Sequence, residues 1–275
     1  MILPFADRRV TGFLTAPVVR CLRFREILAR TTLVELRNTY AGSVLGLSWL
    51  VFGQVFLLGI YALTYTVIFK VNPETMSVSD YVLYVFSGLV PYLTFAGAIS
   101  AGAGVLVKDR QLLLNTVFPS ELLPVRAALV ASAGLPVGVA ILIIIALALG
   151  KWNALLLLVP VVMVLQFMFQ CGIIWLLSLL TLVVRDVQFM IQYVMMILLI
   201  ATPIGYTVQM MPPVLKIMAY ANPLFYFVTW YQDLIVLNTM PSFAIVVVTT
   251  VMSVVTFAVG FWIFERAKTT FFDYA

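Results

Sequence analysis

Between Lys151 and Arg185 the chain reads WNALLLLVPVVMVLQFMFQCGIIWLLSLLTLVV (residues 152–184), without a single charged side chain. A hydrocarbon core about 30 Å thick is crossed by about 20 helical residues, and this run exceeds that. The gaps Arg37 to Lys70, Tyr81 to Lys108, Arg126 to Lys151, Asp186 to Lys216 and Asp233 to Glu265 repeat the pattern, with tyrosine phenols their only weakly acidic oxygens. Lipid satisfies no backbone N–H or C=O, so such spans are helices or strands of a closed barrel. These runs are continuously apolar rather than alternating, which selects helices. The fold class expected is therefore all-α integral membrane, with six transmembrane helices at about 44–69, 81–107, 122–150, 153–184, 187–206 and 242–264.

Composition agrees. Apolar residues make up 64% and charged residues 10% of the chain, whereas a soluble domain carries about 25% charged residues. The net charge of +5 points to topology rather than to nucleic acid. With six spans, the outer segments hold Lys70, Lys151 and Lys216, leaving thirteen of the sixteen basic residues inside. Both termini are expected in the cytoplasm. No secretory leader is expected, since Ile2 to Ala6 is too short for an apolar core and Asp7, Arg8 and Arg9 follow. Cys21 and Cys171 are placed at opposite ends of this layout and are expected to remain unpaired.

Leu22 to Asn38 reads as an amphipathic helix, with Arg23, Glu26, Arg30 and Arg37 on one stripe and Phe24, Ile27, Leu28 and Val34 near the other. It suits the membrane surface; a solvated helix packed on the protein is the other reading. Thr32 and Glu35 fit a capping box, so a break is expected there. Gly42, Ser43 and Gly46 open the first span, and Gly42/Gly46 and Gly134/Gly138 are read as G-x-x-x-G packing pairs. Pro91 is expected to interrupt the second span. Residues 207–241, punctuated by Pro212, Pro213, Pro223 and Pro241, are too apolar for an ordinary loop and too short between charges to cross. They read as a re-entrant pair of half-helices in the outer leaflet.

Several chemistries are excluded by residues the chain does not have. It contains no histidine, which removes His-based acid–base catalysis, Ser-His triads and His metal sites; neither catalytic nor metal residues are assigned. Its acidic residues fall at span boundaries or in loops, so a proton- or sodium-driven relay inside the bundle is not expected. No G-x-x-x-x-G-K-[ST] loop occurs, and no internal repeat of the inverted-transporter kind is found. What remains is a passive pore, or one subunit of a machine driven by a partner.

Three segments then carry a resemblance. Tyr40 to Trp49 resembles the R-Y-x-G-S-x-L-G-x-x-W opening of type-2 ABC exporter permeases for O-antigen, capsule and teichoic acid. Asn115 to Pro124 resembles that family's K-x-x-F-P-x-E-x-L-P block, and Thr202, Pro203, Ile204, Tyr206, Pro212, Asn222 and Pro223 resemble its S-P-I-x-Y, P and N-P pattern. Two departures stand out. Gly53 and Gln54 replace a frequent Asn-Pro, implying a straighter first span, and an arginine frequent near Tyr231 or Gln232 is missing, although Asp233 is adjacent.

The resemblance implies a permease subunit in the bacterial cytoplasmic (inner) membrane, two copies forming the channel and two separate ATP-binding cassette subunits driving it. ATP and Mg then belong to those partners, and no cofactor to this chain. The cargo implied is a lipid-linked polysaccharide of O-antigen or capsule type, moved outward; an exporter of a small lipid or drug in the same superfamily, an unpowered channel and a membrane enzyme are the alternatives. Residues 108–121 are the implied coupling segment, with Leu112, Leu113, Leu114, Val117 and Phe118 as an apolar knob, Pro119 and Glu121 closing it, and Asp109 and Arg110 at its polar rim. An ordinary loop is the plainer reading.

Sugar rings stack on aromatic side chains, which makes Phe52, Phe56, Tyr61, Tyr65 and Phe69 of the first span candidates for a substrate channel; lipid-facing or core packing is equally compatible. Tyr206, Asn222, Pro223, Phe225, Tyr226, Trp230 and Tyr231 are candidates for an outer gate. Gln166 with Gln170, and Gln188 with Gln192, lie one turn apart and suit either interhelical hydrogen bonds or a pore face. Arg126 is expected to snorkel to the inner interface, with a lipid diphosphate contact as the other possibility.

Overall fold

The architecture is that of a computed structural model describing residues 12–13, 15–64, 76–110, 119–206 and 212–272, the side chains of 215 and 268–272 apart. Among these residues every regular element is helical: α1 (Ala16–Arg23), α2 (Arg25–Thr39), α3 (Trp49–Leu63), α4 (Val78–Ala103), α5 (Val105–Lys108), α6 (Leu122–Ala131), α7 (Gly134–Ala148), α8 (Val159–Val183), α9 (Val187–Ala201), α10 (Pro213–Ala221), α11 (Pro223–Gln232) and α12 (Phe243–Phe272). Five stretches are long and apolar enough to cross a membrane: Gly46–Leu63, Val78–Ala103, Leu122–Ala148, Ala154–Val183 and Phe243–Ala267. An all-α integral membrane protein is what the uncharged runs dictated.

The fifth expected span is shorter than the sequence suggested. Helix α9 has 15 residues, about 22 Å at 1.5 Å per residue, against the 187–206 expected. Pro203 explains the stop: a residue before proline is pushed out of the helical region, and Thr202 has ψ 128°.

Local contacts fix the direction of each helix. At one end Lys151, after α7, lies 2.9 Å from Asp80 at the start of α4 and donates to the Val236 carbonyl at 3.0 Å. At the other end, which we call the basic end, Arg20 of α1 meets Glu121 before α6 and Glu265 near the end of α12. Helices α4 and α8 therefore run toward the basic end, as does α12, while α6–α7 runs away from it. Helix α4 is the most enclosed, 72% of its apolar window being buried, whereas α3 has 6% and stands at the edge.

Helix α11 lies antiparallel along the first half of α4. Val228 and Gln232 face Gly88, and Gln232 Nε2 reaches the carbonyl of Tyr84 at 3.5 Å. Asn222 begins α11: its side chain accepts from the Leu224 N–H at 3.0 Å, and Pro223 follows at the first helical position, where its missing N–H costs nothing. The helix ends in a π turn, Asp233–Leu237.

Three local expectations are corrected, and a fourth is met in a particular way. Pro91 lies inside an unbroken α4, where Gln166 Nε2 donates to the Pro91 carbonyl at 2.9 Å; neighbouring helices make proline tolerable within a membrane span. Helix α2 runs through Thr32, and the break falls instead at Phe24 between α1 and α2. Gly42 and Gly46 have φ of +78° and +50° and no neighbour within 4 Å of a notional Cβ. They are turn residues, the conformation glycine tolerates best, rather than a packing pair; α3 begins at Trp49 after a 3-10 turn, Gly46–Ser48. The Gly134/Gly138 pair does pack, but on the side chain of Gln54, 3.0 Å from a Cβ at either position.

Candidate functional site

The candidate site is the basic end, where the connection 109–121 leaves and rejoins the bundle. Residues 111–118, with Leu112, Leu113, Leu114, Val117 and Phe118, lie outside the described residues, but both roots are described. At the first root Asp109 follows α5, and its carboxylate pairs with Arg126 of α6. At the second, Pro119 and Ser120 lead to Glu121, whose side chain is 4% exposed and whose Oε1 lies 2.8 Å from Arg20 Nε. Arg20 also contacts Glu265 at 3.4 Å, and Trp175 Nε1 donates to the Glu121 backbone carbonyl at 2.9 Å. The second root is thus tied to α1, α8 and α12 at once. Arg110 is exposed.

Arg126 does not snorkel, as the sequence had suggested. It is 6% exposed, because Asp109 offers an anion at closer range than the interface does. A buried pair with one partner removed leaves an uncompensated charge worth about 3–5 kcal/mol, so Arg126 and Asp109 hold each other in place. The guanidinium is only partly used: its Nε has no hydrogen-bond partner among the described residues. Beside it Lys108 Nζ lies 3.0 Å from Glu35 of α2.

Between α2, α3, α5 and α6 these charges line a cleft of about 450 Å³, walled by Tyr40, Trp49, Leu50, Gly53 and Gln54 on one side and by Ala127, Val130 and Gly134 on the other. Trp49 Nε1 donates to Ser43 Oγ at 2.8 Å, which fixes the indole at the mouth. Chemically the cleft joins an apolar wall to a set of two acids and two bases, suited to an amphiphile with a charged head.

The aromatic candidates divide. Phe52 and Phe56 are exposed, 44% and 58%, on the open side of α3. Tyr61 instead packs edge-on against Phe86 of α4, ring centroids 6.4 Å apart. Tyr65 and Phe69 lie outside the described residues. At the opposite end Tyr206, Phe225 and Tyr226 come together around Ala219, with Phe225 and Tyr226 centroids 5.2 Å apart. Asn222, Trp230 and Tyr231 are buried in the chain itself; Asn222 Nδ2 donates to Thr202 Oγ1 at 2.7 Å. Pro223 is half-buried at the start of α11.

The glutamines follow the plainer reading where they are buried. Gln166 bonds the Pro91 carbonyl, and Gln170 Nε2 lies 2.6 Å from Ser132 Oγ, while Gln188 sits against Gly104 and Gln192 is exposed. The cysteines are free, as expected. Sequence reading did not single out Arg20, Glu265, Trp175 or the Lys108–Glu35 pair. Arg20 looks like any other arginine in a basic stretch; only the three-dimensional meeting of α1 with α12 distinguishes it.

Comparison with known proteins bears on this arrangement directly. The O-antigen export system permease protein RfbA of Myxococcus xanthus is 24% identical over 252 residues, covering 90% of this chain and 95% of that protein. Two proteins of the same name from Klebsiella pneumoniae are each 23% identical over 248 residues, covering 90% of this chain and 93% of theirs. The similarity therefore runs through both roots of the 109–121 connection, the cleft and the α10–α11 pair. Residues 31–236 match the description "ABC-2 type transporter", and with three-quarters of a multi-pass helical chain inside that match, the protein belongs to the ABC-2 type transporter family.

Proposed function

We propose that this chain is the permease subunit of an exporter that moves a lipid-linked polysaccharide of O-antigen type out of the bacterial cytoplasm. Membership of its family makes it the membrane component of a transporter and pairs it with an ATP-binding cassette subunit. The glycan cargo rests on the relatives, which are O-antigen export system permeases. Two copies of the chain form the pathway, in the inner membrane, and ATP and Mg are held by the partner subunits.

One observation carries the mechanism: both roots of the 109–121 connection are clamped, Asp109 to Arg126 and Glu121 to Arg20. A segment clamped at both ends passes a displacement of its tip into the helices that hold it, here α1, α5, α6 and α12. The basic end is the cytoplasmic face, since Arg20, Lys108, Arg126 and Arg266 gather there and Lys151 stands alone of these cations at the other end. Helix α11, lying beside the half of α4 that carries Tyr84 and Gly88, is then the returning limb of a re-entrant pair in the outer leaflet, its broken backbone covered by protein as lipid requires. Tyr206, Phe225 and Tyr226 form the aromatic surface of the outer gate, positioned by Asn222, Trp230 and Tyr231, while Phe52 and Phe56 offer rings to the channel.

The test is co-purification with the cognate ATPase from membranes. The wild-type chain retains the ATPase, and the doubly substituted L113A/F118A chain loses it while still reaching the membrane. Undiminished ATPase association in that variant, or full outward transport by the permease alone, overturns the reading.

A further inference from the structure

The cleft at the basic end contains an arginine whose pairing is incomplete in a way that specifies a ligand. Arg126 is buried, yet it spends one terminal nitrogen on Asp109 and leaves Nε without a partner among the described residues. A guanidinium binds an oxyanion best through two parallel N–H donors, and the Asp109 carboxylate, held at the end of α5, engages only the terminal one. The charges lining the cleft, Glu35, Lys108, Asp109 and Arg126, sum to zero, so an arriving anion competes with a carboxylate of the chain for its cation. A phosphate headgroup of two or more negative charges outcompetes a single carboxylate for a shared cation, and its tetrahedral oxygens reach Nε and a terminal nitrogen together.

The walls state what the phosphate is attached to. Trp49, Leu50 and Gly53 line the cleft, and Trp49 meets the ring of Phe56, two turns on along α3 and 58% exposed, at a centroid distance of 6.5 Å. An apolar wall running from a charged pocket onto an exposed membrane helix fits a lipid whose tail stays in the bilayer, not a free ion.

We propose that this cleft binds the multiply charged phosphate headgroup of a lipid from the inner leaflet, and that the phosphate takes Arg126 from Asp109. Asp109 is the first root of the 109–121 connection, so its release reports an occupied cleft to the segment that faces the ATPase. The inference rests on the exporter reading for the side of the membrane on which the cleft opens.

The experiment uses the permease with its ATPase in phosphatidylcholine nanodiscs, doped with undecaprenyl diphosphate, and measures retained lipid by native mass spectrometry. Wild type retains the diphosphate lipid, R126Q retains about tenfold less, R126K falls between them, and D109N retains more than wild type because the competitor is gone. Opposite signs for R126Q and D109N separate displacement from a merely structural pair, which would lower both. Retention by R126Q equal to wild type overturns the site, and retention by D109N at or below wild type overturns the displacement. Should R126Q fail to fold, R126K and D109N against wild type decide the same question. Equal retention of phosphatidylglycerol overturns the multiply charged headgroup, and displacement of the lipid by an equal concentration of inorganic pyrophosphate overturns the lipid attachment. Glycan export is scored separately in proteoliposomes: export without the retention contrast removes this site and leaves the exporter, whereas the contrast without ATP-dependent export does the reverse.

Discussion

Gly172 of α8 and Gly260 of α12 meet backbone to backbone: a Cβ on Gly172 would stand 2.3 Å from the Thr256 carbonyl oxygen, and one on Gly260 would stand 2.3 Å from the Gly172 carbonyl oxygen. Trp175 covers the crossing, its ring 5.2 Å from both Phe257 and Phe261. Membrane helices without a hydrophobic drive between them depend on such close approach. Neither carbonyl is a flexible side-chain end, so the helices themselves must separate to admit a methyl group. G172A and G260A should each destabilise the protein by about 1–3 kcal/mol or more, read as a lowered thermal midpoint in detergent. G97A, with nothing within 4 Å of the added carbon, should leave the midpoint unchanged or raise it slightly.

Glu121 and Arg20 should prove coupled. E121Q and R20Q each break a pair in which the acid is almost fully buried, and a double-mutant cycle on thermal unfolding should return about 1–3 kcal/mol of interaction. W175F should cost less, about 1 kcal/mol, for the lost hydrogen bond to the Glu121 carbonyl. A coupling near zero between Glu121 and Arg20 would remove the clamp at the second root.

Gln232 straps the turn after α9 to α4. Its Nε2 lies 3.2 Å from the Pro203 carbonyl, 3.4 Å from that of Ile204 and 3.5 Å from that of Tyr84. Q232L should destabilise by about 1–3 kcal/mol, since it strands buried acceptors. Amide exchange at Ile204 to Tyr206 should accelerate more than exchange in α8. Uniform acceleration across both would mean that the strap is not local.

Cys21 should be inert toward maleimide at neutral pH. Burial pushes its thiol up to about 11, and the neighbouring Glu121 carboxylate adds to the rise. The reactive thiolate therefore appears about tenfold more per pH unit until that point is approached. An unfolded cysteine titrates near about 8.5, so the preference for the neutral thiol is fully present below that pH and is lost as pH rises toward 11. Labelling of native protein at pH 7.5 should lag behind labelling in denaturant; equal rates would contradict the half-buried setting beside Glu121.

The helical membrane class was legible because uncharged runs such as 152–184 leave lipid no other solution. The family motifs likewise fell on the second root of the 109–121 connection and on Asn222–Pro223. Boundaries were less legible. Pro91 read as a break because one residue's chemistry is visible in sequence, whereas the neighbouring helices that enclose it, Gln166 of α8 among their residues, lie far along the chain. Arg126 read as an interfacial residue because the carboxylate that internalises it, on Asp109, lies 17 positions away. The cleft itself was hidden: its members come from α2, α3, α5 and α6, and only the folded arrangement makes neighbours of Glu35 and Lys108.

The glutamine seated in the Gly134/Gly138 notch has a mechanical meaning. Helices α8 and α12, locked at their glycines, make a stiff frame, whereas α3 is held at Gln54 and, one and two turns on, by Leu58 and Tyr61, with most of the residues between them on its open side. Elements with few buried contacts are the cheapest to displace, so α3 is the leaf and the notch its pivot pin. A tilt about that pin would change the width of the slot beside Trp49 without disturbing the frame.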